Sequence, residues 1–233
     1  MKEWRETLCS IQKDWNACLP VSAGLEQERA VNKLRRAIGG LLAGVVLTGL
    51  AGCAHAPAKP GPGAARFDSA RYDVAMVYPA TLKVRHGFAS GYFLQQRWNP
   101  DAAHGVPGQG LLTLTLPQSN KLTSGELRLG ASDASQAFHH CALPDDGNAG
   151  AVSRVVIDGV TFKRRDTGDA GMNHYLMRHA YRGVAHGHCY AIDLIVDGTN
   201  PGVYPGNPTP PMTKKTAFKR LTSLLDGLTF SRS

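Results

Sequence analysis

The chain has 233 residues, 26 Lys and Arg against 18 Asp and Glu for a formal charge of +8, and five cysteines. That length allows one or two domains, and no internal repeat divides it. Its uncharged apolar run at residues 37–50 is shorter than the roughly 20 residues a spanning helix needs, which argues against a transmembrane anchor there.

Residues 1–30 carry Glu3, Glu6, Asp14, Glu26, Glu28 and Pro20, which do not suit the short basic opening of an export signal. We therefore expect them to lie outside the functional chain, with Val31 as the true start; the alternative is a long n-region. Lys33, Arg35 and Arg36 form a basic flank, the apolar run follows, and Leu50-Ala51-Gly52-Cys53 closes it. This order resembles the signal peptide and lipobox of bacterial lipoproteins, with residues 31–52 as the signal. The resemblance implies cleavage before Cys53 and a covalent diacylglyceryl lipid on its sulfur; no other cofactor is expected. Two or three acyl chains make attachment stable, at about 0.8 kcal/mol per buried CH₂. Ala54, in place of an aspartate, leans towards the outer membrane. The expected location is thus the cell envelope, facing the periplasm.

Residues 53–66, with Pro57, Pro60, Pro62, Gly61 and Gly63, read as a tether between lipid and domain. From Cys53 onward there are 19 Lys and Arg against 13 Asp and Glu, a net +6. Such a charge favours anionic envelope partners such as lipopolysaccharide, phospholipid head groups or acidic glycans. Export makes nucleic acid an unsuitable partner. Cys9 and Cys18 precede the cleavage point and Cys53 is lipidated, so Cys141 and Cys189 remain for a disulfide in an oxidising compartment.

Residues 67–233 read as a single α+β domain, a twisted antiparallel sheet packed by a few helices. Strands are expected at 72–78, 81–84, 87–98, 110–116 and 126–129, with a loop over 99–109. Ser132 or Asp133 can cap a short helix whose Ala134, Ala137, Phe138 and Cys141 share one side. Asp158-Gly159 predicts a type I′ hairpin between 155–157 and 160–162. Long strands at 172–182 and 188–196 follow, separated by a turn at 183–187. After a proline-rich loop at 198–212, a helix is expected over 213–226 with Ala217, Leu221, Leu224 and Leu225 inward, and a last edge contact at Thr229-Phe230. This element order, with Ile157-Asp158-Gly159-Val160-Thr161-Phe162 and Cys189-Tyr190-Ala191-Ile192, resembles the small α+β domains related to PsbP, the extrinsic photosystem subunit. The resemblance implies the fold and no conserved chemistry.

Three chemistries are open to the residues. The leading expectation is a non-catalytic binding or assembly role towards an envelope protein or anionic component. A metal-binding module is the second: His186 and His188 flank Gly187 beside Cys189, and His139 and His140 precede Cys141, imidazole and thiolate ligands that suit zinc or copper. A disulfide would consume the thiolates. A hydrolase is the third, since Ser90, Ser132 and Ser135 stand with histidines and Asp193, though none lies in a G-x-S-x-G turn. Asp193, between Ile192 and Leu194, is expected on a solvated strand face. Lys163-Arg164-Arg165 and Lys214, Lys215, Lys219 and Arg220 are the basic clusters.

Overall fold

A computed structural model describes residues 60–91, 94–141 and 151–230. The readings of residues 1–30 and 31–52 and of Cys53 lie outside the described residues. In chain order the first strands are β1 (Ala64–Ser69), β2 (Val74–Pro79), β3 (Lys83–His86), β4 (Gln109–Thr115) and β5 (Ser124–Ser132). Then come β6 (Ser153–Ile157), β7 (Val160–Gly171), β8 (His174–Ala185), β9 (His188–Thr199) and β10 (Leu228–Phe230). Two α-helices accompany them, α1 (Ser135–His140) and α2 (Lys214–Ser223). A seven-stranded antiparallel sheet runs β3-β4-β5-β9-β8-β7-β6, and a three-stranded one runs β1-β2-β10. The α+β expectation therefore holds in its coarse form, with strands outweighing helices. β1 begins at Ala64, so the fold takes in the last three residues assigned to the tether.

Alternation along the strands gives the large sheet two unlike faces. On one, Leu127 and Leu129 of β5 meet Leu194 and Ile192 of β9, joined by Leu112 and Leu114 of β4 and by Phe162 of β7. On the other lie Arg128, Asp193, Arg178, Arg182 and Arg165. The apolar face is covered by α2, whose Ala217, Phe218 and Leu221 are buried, and by Met76 and Tyr78 of the small sheet. Thr213 caps α2 by accepting the Thr216 amide at 3.1 Å. The helix is shorter than expected, tightening after Ser223 into a 3₁₀ turn at Leu224–Gly227 that buries Leu224 and Leu225.

Two-residue turns join β6 to β7, β7 to β8 and β8 to β9. Their central pairs, Asp158-Gly159, Met172-Asn173 and His186-Gly187, all have positive φ, the type I′ geometry that matches strand twist. The first was expected. The second falls where a strand was expected to begin, because methionine gives no turn signal.

Among the described residues of 87–98 the expected strand does not form. Instead the described residues 87–91 and 94–108 cross the polar face of the large sheet as a loop. Trp98, Ala102, Ala137, Cys141, Cys189 and Ala191 form a second, small core under it. The Cys141–Cys189 disulfide sits inside, with Cα atoms 5.7 Å apart, and joins α1 to β9. The N-terminus of α1 differs from the capping expectation: Ala134 is its N-cap, while Ser132 Oγ accepts the Ala134 amide at 3.2 Å and donates to the Pro107 carbonyl at 2.7 Å.

Gly130 of β5 is where the loop backbone comes closest, since a Cβ there would run into the Trp98 carbonyl oxygen. Gly130→Ala should cost about 1–3 kcal/mol through overpacking, with Trp98 moving outward; denaturant unfolding followed by tryptophan fluorescence checks both.

Candidate functional site

The polar face carries a buried ionic cluster. Arg182 of β8 is 1 % exposed, and no position for an unpaired guanidinium would be tolerable there. Its Nη2 donates to Asp101 Oδ2 at 2.6 Å and to Asp193 Oδ1 at 2.8 Å, its Nε to Asn99 Oδ1 at 2.9 Å, and its Nη1 to the Tyr181 and Ile192 carbonyls. Two pleat repeats away, Arg178 donates to Asp101 Oδ1 at 2.6 Å and to Thr167 Oγ1 at 3.3 Å, and Arg165 lies 3.7 Å from the same carboxylate. Asp101 and Asn99 come from the loop; the arginines and Asp193 come from the sheet. Burial opposes ionisation of Asp101, but Arg182, Arg178 and Arg165 outweigh it and hold its pKa below the usual carboxylate value.

Asp193 is therefore not on a solvated face: it is 1 % exposed because the loop covers its side of β9. The Lys163-Arg164-Arg165 cluster is also split. Arg164 points to the helix side, where it pairs with Asp166 at 2.8 Å, while Arg165 points under the loop. Successive strand residues face opposite ways, so a run of three basic residues does not make one patch.

Along the same face, Arg128 of β5 donates to Glu126 at 2.6 Å and to the loop carbonyls of Gln95 and Ala89 at 3.0 and 2.9 Å. Asp197 of β9 lies at this end. Burial, and then the neighbouring Glu126 charge, raise its pKa to about 6 despite Arg128.

A cavity of about 440 Å³ opens at the end of the sheet that holds the β7–β8 turn. Leu122, Ala170, Tyr175, Pro201, Pro210 and Met212 line its apolar walls. Lys214, the first residue of α2, sets its Nζ 3.8 Å from the centre of the Tyr175 ring. The Tyr175 hydroxyl donates to the Leu122 carbonyl at 3.0 Å, and His174 Nδ1 lies 3.1 Å from Thr199 Oγ1. The Asn200 amide donates to the Asn173 carbonyl at 2.8 Å, tying the proline-rich loop to the turn. Beside it, Lys121 stands 4.1 Å over the Tyr204 ring. No Asp or Glu is among the cavity's described lining residues.

The histidines singled out for metal are placed as follows. His186 occupies a turn, its Nε2 3.0 Å from the Phe230 carbonyl. His188 packs edge-on to Tyr72, its Nε2 3.6 Å from Asp73. His139 is exposed on α1, and His140 is the last residue of that helix. Cys141 and Cys189 are bonded to each other, so neither offers a thiolate. Among the described residues no group of three or more His, Cys, Asp and Glu is arranged to hold a metal ion. For hydrolytic chemistry, Ser132 Oγ is engaged with backbone groups and Asp193 with Arg182. The ionic cluster and the cavity were not anticipated. Charged residues at alternate positions of otherwise apolar strands, Arg128, Arg182 and Asp193, were the available signal.

No family model matches the chain, and no curated protein matches it. Among solved structures it is similar to cyanobacterial PsbP (CyanoP) from Synechocystis sp. PCC 6803, at 10 % identity and a TM-score of 0.39, covering 75 % of this chain and 99 % of that one. At that level the likeness carries no residue role to this chain.

The two half-buried carboxylates, Asp101 and Asp197, should respond oppositely to pH. Asp101 has a lowered folded pKa, so its contribution is full above the ordinary aspartate value and is lost as pH falls through the folded one. Asp101→Asn should cost about 3 kcal/mol at neutral pH, because the guanidiniums stay buried without it. Asp197 has a raised folded pKa, so its contribution is full below the ordinary value and is lost as pH rises through about 6. Asp197→Asn should raise the melting temperature at pH 7–8 and flatten the decline between about pH 4 and 6; thermal melts across pH for both variants check the signs.

Proposed function

We propose that this chain is an exported lipoprotein, held in the envelope by a diacylglyceryl group on Cys53 and facing the periplasm from the outer membrane, with a non-catalytic binding or assembly role. The observation that carries the export reading is the Cys141–Cys189 disulfide. Disulfides persist in oxidising compartments, and this one uses the two cysteines that the lipobox reading leaves over. The basic flank, apolar run and Leu50-Ala51-Gly52-Cys53 give the route and the anchor. The binding role is supported by the cavity beside α2, whose volume falls within the roughly 300–1,000 Å³ of small-molecule sites. The net +6 from Cys53 onward favours an anionic envelope component as partner.

Expression in a bacterium with an outer membrane tests the anchor. The wild-type chain should fractionate with outer membranes, and its N-terminal peptide should begin at Cys53 with added diacylglycerol mass. Cys53→Ser should move it out of the membrane fraction with its fold unchanged. Retention of the Cys53→Ser chain in membranes, or an N-terminal peptide containing Trp4 or Trp15 from the membrane-bound form, sinks the reading.

A further inference from the structure

We propose that the cavity between α2, the β7–β8 turn and the proline-rich loop binds an amphiphilic monoanion, its apolar body between the walls and its acidic group on Lys214. This deepens the binding role above and rests on it.

Three features select that chemistry. The walls are apolar: Leu122 and Met212 are buried beneath the cavity, and Tyr175, Pro201 and Pro210 are half-buried around it. An apolar body entering there removes its own surface and theirs from water, at about 25 cal/mol per Å². The charge is one-sided. Lys214 stands at the rim with His174, and no described lining residue is acidic, so a cation finds no partner. The Lys214 ammonium is held by a cation–π contact with Tyr175, worth about 1 kcal/mol at an exposed site, so an acid can recruit it at little cost. The start of the ten-residue α2 adds partial positive charge on the same side.

The site is also formed in advance. Pro201, Pro205, Pro208, Pro210 and Pro211 restrict the loop, and the Asn200–Asn173 bond ties its start to the turn. Little backbone freedom is left to lose when a ligand enters. A polyanion such as a nucleotide would bring more polar surface than these walls can pair, and a neutral oil would leave Lys214 unused.

Calorimetric titration of the full chain carrying Cys53→Ser, with its disulfide intact, tests this. The probes are dodecanoate and dodecyltrimethylammonium, each below its micelle concentration. Dodecanoate should bind one equivalent, with the cation weaker by about tenfold or more. Lys214→Glu should weaken dodecanoate by about tenfold while keeping α2, since an acid in the first turn suits the helix dipole. Ala170→Trp, at an exposed wall position, should block the cavity. Equal binding of both probes, or dodecanoate binding that neither variant changes, overturns the proposal. So does co-sedimentation with phosphatidylglycerol vesicles, but not phosphatidylcholine ones, that Ala170→Trp leaves intact in a chain that takes up no dodecanoate, because the lysines then meet a membrane surface. A wild-type chain that is never lipidated yet still gives the dodecanoate result removes the anchor and supports the cavity.

Discussion

A fully buried guanidinium admits few arrangements around it, and Arg182 sets much of this domain by that constraint. Its donors are matched by two carboxylates, one amide oxygen and two backbone carbonyls. Two of these partners, Asp101 and Asn99, belong to a loop whose described residues have no strand pairing of their own to hold it. Satisfying Arg182 therefore places the loop, and the loop in turn places Trp98 against Gly130 and over the disulfide. Replacing such a cluster by apolar residues often leaves a protein as stable or more so, so its contribution lies less in net free energy than in selecting one position for the loop.

The same division explains why the domain has two cores of unequal kind. The helix side of the large sheet is an ordinary apolar layer, filled by leucines, isoleucine and aromatics from both sheets and from α2. The loop side could not be built that way, because β5, β7, β8 and β9 present arginines and aspartate to it. What covers that side is a loop with its own carbonyls and side-chain acceptors, and a small patch of alanine, tryptophan and cystine. β9 is buried along nearly its whole length because both coverings meet on it.

Much of this was legible from pattern. The Asp158-Gly159 turn, the long paired strands, the short helix bearing Cys141 and the C-terminal amphipathic helix each carry a local signal, and each is present. The cystine followed from counting cysteines against compartment. What failed were features decided at a distance. Residues 87–98 have strand composition, but β4, the strand they lead into, is already paired with β3 on one side and β5 on the other. Asp193 reads as exposed from its own strand, because the covering loop lies more than eighty residues earlier in the chain. The cavity draws its walls from β7, β8, the proline loop and residues 122–123, which no local window spans. The histidine pairs next to cysteine looked like ligand halves, yet the bond that unites the two segments takes up both sulfurs.

The three tight turns carry a consequence for how the chain reaches this state. From β6 to β9 each strand pairs with the next across a two-residue connection, so closing each hairpin costs little loop entropy. The β5–β9 pairing is different, matching Leu127 with Leu194 across the whole meander. That seam joins the two halves of the large sheet, and it is the longest-range pairing within that sheet. The cystine lies at one end of it: Cys189 is itself the β9 partner of Ser132, and its bond to Cys141 ties that end to the segment that follows β5. Once oxidised, it keeps that end of the seam together even when the strands beyond it have come apart.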